Sequence, residues 1–252
     1  MKLIADTHTH TTASGHALST VRENAAEARK KGLFFLSISD HASSMEAAPK
    51  EIYFSTLPHV LPRCDSGVFL LSSCEANILD HYGSLDLLET TLEKLDLVIA
   101  SMHILCFTPE TKDKHTQAWI CACHNPHVDI LGHLGDDRYS FDQEAVVQCC
   151  RATGTIIEIN SHSFSARPGS QVNCRNIALL CKKYEVPVVV SSDAHYAASV
   201  GDFSDAVTML NSIAFPEELV LNASYHRFAE YLKSKTGNSF DPELIGMERD
   251  IP

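Results

Sequence analysis

The chain of 252 residues predicts an α/β fold built on a parallel sheet, and three observations carry that reading. Short apolar runs alternate with longer segments of helical periodicity throughout. The runs end in polar residues with metal-binding side chains. Neither GxGxxG nor a Walker loop follows the first run, so a dinucleotide-binding or P-loop fold lacks its signature. The alternation alone leaves the sheet either closed as a barrel or open and doubly wound.

Seven strands are expected, at Leu3–Asp6, Phe34–Ser39, Val68–Cys74, Leu97–Ala100, Asp129–Leu131, Thr155–Ile159 and Pro187–Ser191. Helical patterns lie between them. Val21–Lys31 opens on Thr20 and Glu23, spaced as a capping box, and ends before Gly32. Asp142–Thr153 ends before Gly154, Asn176–Tyr184 follows, and Ser224–Lys235 has one apolar face. The last residues read as a loose end. With no linker-like tract and no repeat, residues 1–252 are expected to form a single domain.

Composition removes several classes. Hydrophobic residues make up 44% and charged residues 21%, as in ordinary globular proteins. The net charge is -12 with histidine neutral, and no Lys/Arg block occurs, so no nucleic-acid partner is expected. No apolar stretch approaches the roughly 20 residues of a membrane span. The nine cysteines include no CxxC pair, and the first residues read as a strand rather than a signal peptide. Reduced thiols in a cytoplasmic protein are therefore expected. Self-association into a homo-oligomer is compatible with the sequence.

The information lies in the 14 histidines. The first strand runs into Asp6-Thr7-His8-Thr9-His10, with His16 in the loop beyond. Others end in Asp40-His41, Cys74-Glu75, Met102-His103, Gly132-His133 and Asp193-Ala194-His195. In parallel barrels the C-terminal strand ends converge on one face, where the active site sits. Residues two apart on a strand share a side, so His8 and His10 can reach one ion. His59, His81, His115, His124, His127 and His226 fall in helices or connections and read as ordinary histidines. The cysteines read as core residues.

The order Asp6-x-His8-x-His10, His16, Asp40-His41, Glu75, His103, His133, Asp193-x-His195 resembles the PHP (polymerase and histidinol phosphatase) family, specifically its YcdX-like phosphatase branch. Ala13–Ala17, Glu75–Ile78, Ser161–Ser170 and Asn173–Arg175 add to the likeness, which runs from Leu3 past Leu232. The resemblance implies a distorted seven-stranded (β/α)7 TIM-like barrel and three divalent metal ions, zinc first, with iron or manganese as alternatives. By position, one ion takes His8, His10, Glu75 and Asp193. A second takes Glu75, His103 and His133, and a third His16, His41 and His195. The sequence departs from the branch at Asn160–Ser163 and at Leu134-Gly135-Asp136, which bears on the substrate pocket.

The expected activity is hydrolysis of a small phosphate monoester by attack of metal-bound hydroxide, with no covalent enzyme intermediate. Arg167 is a candidate phosphate clamp, and Arg175 a weaker one. His162 is a candidate substrate contact. Asp6 and Asp40 either hold imidazole N–H groups or cap loops. The rivals are an amidohydrolase-type enzyme, which also begins with HxH and ends with a metal-binding Asp, and a histidinol-phosphatase-like activity within the family.

Overall fold

The computed structural model describes residues 1–246, so the loose end expected for the last residues lies outside them. Among the described residues eight strands form: β1 (Ala5–Asp6), β2 (Phe35–Ile38), β3 (Cys64–Asp65), β4 (Val68–Asn77), β5 (Leu97–Ser101), β6 (Ile130–Leu131), β7 (Ile156–Asn160) and β8 (Val188–Ser191). Seven pair in parallel in the order β1-β2-β4-β5-β6-β7-β8, and β3 adds an antiparallel edge to β4. Helices separate them: α1 (Val21–Lys30), α2 (Glu51–Val60), α3 (Glu89–Leu92), α4 (Lys112–His124), α5 (Gln143–Thr153), α6 (Ser163–Ala166), α7 (Ser170–Tyr184), α8 (Ser204–Ser212) and α9 (Tyr225–Thr236).

The sheet curls into a nearly closed barrel, which decides between the two arrangements that the alternation allowed. No ladder joins β1 to β8, yet the seam is stitched. Thr9 bridges Ala194, and the His10 N–H donates to Ala194 O at 2.9 Å. Lower down, the buried Asn222 amide donates to Ala5 O (2.9 Å) and Val190 O (2.7 Å) and accepts from the Val190 N–H (3.1 Å). One side chain thus replaces the missing strand-to-strand bonds, leaving those backbone groups satisfied.

Local rules account for the helices. Thr20 and Glu23 form the reciprocal capping box expected from their spacing, and Gly154 ends α5 in the left-handed conformation at φ 82°. The structure differs from expectation at three places. β4 runs on to Asn77, because Glu75 and Asn77 pair with β5, so Glu75 lies inside the strand. α7 begins at Ser170, six residues before the apolar periodicity is evident. The two-residue β3 is too short to leave a pattern.

Alternation sorts the strand residues into two sets. Val68, Leu70, Cys74 and Ala76 of β4 pack in the core shared with the helices. Phe69 and Leu71 join an aromatic cluster with Phe35, Leu97, Tyr225, Phe228 and Phe240, against α9. Ile99, Ile130, Ile156 and Val189 form the next layer. Further along the same face of β4 come Ser73, Glu75 and Asn77, all buried. The barrel interior therefore grades from aromatic at one end to ionisable at the other.

Candidate metal centre

Glu75 sits at the middle of the ionisable end. Its Oε1 lies 2.8 Å from His133 Nε2 and 3.2 Å from His103 Nε2. Its Oε2 lies 2.6 Å from His41 Nδ1, 3.3 Å from His8 Nε2 and 3.6 Å from His10 Nε2. Asp193 Oδ1 approaches His10 Nε2 (3.2 Å), His8 Nε2 (3.6 Å) and His195 Nδ1 (3.6 Å). His16 Nε2 meets His195 Nε2 at 3.0 Å. All nine residues singled out in the sequence thus converge on one cluster.

The backbone strains to present them. His133 and Asp193 adopt positive φ, 34° and 52°, conformations that non-glycine residues seldom take and that collect at functional sites. Before His133, a Cβ on Gly132 would sit 2.2 Å from Ser101 Oγ and 2.8 Å from Ile99 Cγ2, so only glycine lets β6 approach β5 there.

Hydrogen bonds to the outer nitrogens fix the tautomers. His8 Nδ1 donates to Glu158 Oε1 at 2.7 Å, His103 Nδ1 to Asn77 Oδ1 at 2.7 Å, and His195 Nδ1 to Asp193 O at 3.0 Å. The Ser14 hydroxyl donates to Asp40 Oδ1 (2.7 Å), so at 3.2 Å it accepts from His10 Nδ1. Four imidazoles therefore carry their proton outward and turn a bare Nε2 inward, as metal ligands do. The consequence at His8–His10 is two bare nitrogens face to face at 3.1 Å, while His103 and His195 turn theirs on His133 Nε2 (3.2 Å) and His16 Nε2 (3.0 Å). Two bare nitrogens so close repel unless a cation lies between them. Zn–N bonds of about 2.0–2.1 Å at a tetrahedral angle would set ligand nitrogens about 3.3 Å apart, close to what is seen. His41 Nδ1 and Glu75 Oε2 are also buried, and though 2.6 Å apart they meet without hydrogen-bond geometry. The residues fit divalent metal ions.

Electrostatics agree with that fit. Burial pushes the Glu75 carboxyl up, but His103, His8 and His41 hold it well below the usual range, and the Asp193 carboxyl is likewise depressed, against burial, by His8 and Arg167. Burial drives His103 down to about 4 despite Glu75, and His10 well below its ordinary value with help from His41. Both acids are thus charged and both histidines neutral, the forms that bind metal. His8 moves upward against its burial, because Glu158, Glu75 and Asp193 surround it. That environment favours positive charge at His8, which a cation at Nε2 can supply in place of a proton.

Three sets of donors lie close enough to share an ion: His8, His10 and Glu75; His41, Glu75 and His103; and His10, His41 and His195. Glu75 belongs to two of these sets. His41 stands closer to Glu75 than the expected grouping with His16 and His195 implies.

The remaining residues divide. Arg167 Nη1 donates to Asp193 Oδ2 (3.1 Å) and Ser163 Oγ (2.9 Å), placing it beside the cluster. His162 lines the same mouth, its ring 6.5 Å from that of His195. Arg175 lies exposed on α7 and is not among the residues that line the mouth. Asp6 and Asp40 hold loops. Asp6 accepts from the Ser192 hydroxyl and from the Gly201 and Ser192 N–H groups, and Asp40 from Thr11, Ser14 and Tyr53. Asp40 reaches an imidazole only through Ser14. The partner that sequence reasoning missed is Glu158, which besides His8 accepts from the His133 N–H (2.6 Å) and Ser191 Oγ (2.5 Å). Its signal was a lone acid between isoleucines in a buried strand, where a charge needs partners. The cysteines are free, and His115 is a core residue bonded to Ser140 O and the Glu110 N–H.

The mouth opens into a cavity of about 580 Å³ lined by His16, His41, His103, His162, Arg138, Arg167, Asp193 and His195, with Met45, Ile104 and Leu105 among its apolar walls.

A nearly closed parallel barrel with a histidine–carboxylate cluster at its C-terminal end defines a metallohydrolase-like protein. Comparison with known proteins is more specific. The chain is 44% identical over 235 residues to a "Probable phosphatase" of Clostridium botulinum strain Langeland, covering 93% of this chain and 96% of that one. It is 47% identical over 237 residues to a "Probable phosphatase" of Caldanaerobacter subterraneus, covering 93% of each. It belongs to this family of phosphatases, hydrolases of phosphate esters. No protein-family model matches the chain. Among solved structures, the histidinol phosphate phosphatase of Lactococcus lactis, complexed with zinc, L-histidinol and phosphate, superposes with a TM-score of 0.57 at 15% identity, covering 85% of this chain and 95% of that one. A chain of archaeal ribonuclease P with mature tRNA gives 0.55 at 15% identity, covering 92% and 90%. These two share the fold, which alone does not carry function.

Proposed function

We propose that this phosphatase is a PHP-type, metal-dependent phosphomonoesterase that holds three divalent ions at the barrel mouth and acts on a small phosphorylated substrate. The observation that carries the reading is the set of inward-facing imidazole nitrogens around Glu75, four of them bare, paired at 3.0–3.2 Å. His8, His10, Glu75 and Asp193 would hold one ion, Glu75, His103 and His133 a second, and His16, His41 and His195 a third. When bound, such ions lower the pKa of a coordinated water toward about 7 and neutralise phosphoryl charge.

The protein's own part is to position. Glu158, Asn77, Ser14 and the Asp193 carbonyl keep four imidazole protons pointed outward. Arg167 uses one nitrogen on Asp193 and Ser163, and its remaining donors are available to phosphoryl oxygens. No serine or cysteine nucleophile is needed, since the cluster can supply an activated water.

The test is hydrolysis of p-nitrophenyl phosphate beside a panel of amides and lactones, with and without chelator. Phosphate release that chelation abolishes is expected. Amide or lactone hydrolysis without phosphatase activity would overturn the reading in favour of amidohydrolase-type chemistry.

A further inference from the structure

The departure at Leu134-Gly135-Asp136 builds something. Asp136 is buried, and its two oxygens grip Arg138 side-on: Nε donates to both at 2.9 Å and Nη2 to Oδ2 at 2.5 Å, while the Arg138 N–H donates to Oδ1 at 3.0 Å. That leaves Nη1 and the outer edge of the guanidinium without a partner among the described residues. Arg138 lines the same cavity as the metal-competent histidines, with its side chain 39% exposed.

The loop that carries it is pinned. The Asp137 N–H donates to Pro168 O (2.9 Å), and the Asn173 amide donates to Gly135 O (2.9 Å) and Asp137 Oδ1 (2.6 Å). A Cβ on Gly169 would fall 1.9 Å from Asp137 Oδ2, and one on Gly135 would fall 2.6 Å from Cys174 Sγ, so both approaches require glycine. Arg138 is thereby locked to the turn that bears Arg167. The two arginines differ in task. Arg167 is bonded to Asp193 inside the cluster, whereas Arg138 makes no hydrogen bond or ion pair to any of the nine metal-competent residues and has donors to spare.

We infer that Arg138, oriented by Asp136, is a specificity residue that binds a second anionic group of the substrate, a carboxylate or phosphate carried by the leaving group. This rests on the phosphomonoesterase reading and narrows its substrate class. A guanidinium held along its Nε/Nη2 edge by a buried carboxylate keeps its Nη1/Nη2 fork open, the geometry for bidentate capture of an oxyanion. Met45, Ile104 and Leu105 line the same cavity and suit an apolar stretch joining the two anions. The buried position of Asp136 leaves the fork as the accessible part of the pair.

The experiment compares 4-carboxyphenyl phosphate with its neutral isostere, 4-carbamoylphenyl phosphate, in the wild type and in Arg138→Ala, Arg138→Met and Arg138→Lys. The wild type should favour the carboxylate in kcat/KM by about tenfold or more, chiefly through KM. Both neutral variants should bring the ratio near one, and the lysine should restore part of it. Asp136→Asn gives the sharper readout. It removes a negative charge, so simple electrostatics expects tighter binding of the carboxylate, whereas loss of the aimed fork should weaken it. An unchanged ratio in both neutral variants, or improved carboxylate binding in Asp136→Asn, overturns the inference and leaves the phosphatase reading intact. A wild type inactive on both esters overturns the two together.

Discussion

The two ends of the barrel interior obey opposite rules, and one face of β4 runs through both. At one end Phe69 and Leu71 join Phe35, Phe228 and Phe240 in a cluster that is complete as it stands. Phe35 packs on Phe69 at 5.4 Å between centroids and edge-on to Phe228 at 5.1 Å. At the other end the same face presents Glu75 to His133 and His103, and Asn77 to the outer nitrogen of His103. Burial stabilises the first end. The second pays desolvation for every group and has its polar atoms satisfied only if cations join it. Stability therefore resides at the closed end and chemistry at the open one.

Substitutions can break that division. Glu75→Ala should cut kcat/KM by about a thousandfold or more, on the order of 4 kcal/mol in activation free energy, with loss of bound metal in elemental analysis. A variant that keeps its activity would show that the bridging carboxylate is dispensable. Phe35→Ala should cost about 3–5 kcal/mol in denaturant unfolding, while kcat of the folded fraction stays near that of the wild type. If its kcat fell as steeply as its stability, the two ends would be coupled. Glu158→Gln should lower metal affinity by about 10–100-fold, because it acts through the His8 proton rather than on an ion. Titration with a competing chelator measures this, and an unaltered affinity would reduce Glu158 to a packing role.

The smallest effect is a pH dependence. Burial raises the Asp136 carboxyl, yet its bonds to Arg138 outweigh this and hold it below its ordinary value. A depressed carboxyl contributes stability that is fully present above the unfolded value, about 3.9, and is lost as pH falls through the folded one. The stability gap between wild type and Asp136→Asn should thus be present at pH 6 and shrink below pH of about 4. A gap that widens on acidification would contradict the sign.

Much of this was legible in the sequence because strand ends and ligands follow short-range rules. The seven parallel strands lie on the apolar runs, and the nine metal-competent residues at or just beyond their ends meet in space. What sequence could not reach depends on contacts across the fold. Asn222 closes the seam from beyond the last strand, a role that its own neighbourhood does not announce. Glu158 reads as an oddity in a strand until His8, 150 residues away in sequence, is placed beside it. The aspartates before the ligand histidines invited a shared role, yet Asp6 ties down loops and Asp40 reaches His10 only through Ser14. Arg138 stayed hidden because a pair two residues apart shows its direction only once the loop is pinned.

The most direct test is the metal content of the protein purified without chelator or polyhistidine tag, with unfolding followed before and after the ions are stripped. About three divalent ions per chain, and a melting temperature that falls on stripping, are expected, since a ligand that binds only the folded state stabilises it by mass action. A chain that carries less than one ion after incubation with zinc, iron or manganese, and melts identically with chelator present, would contradict a barrel mouth built to hold metal.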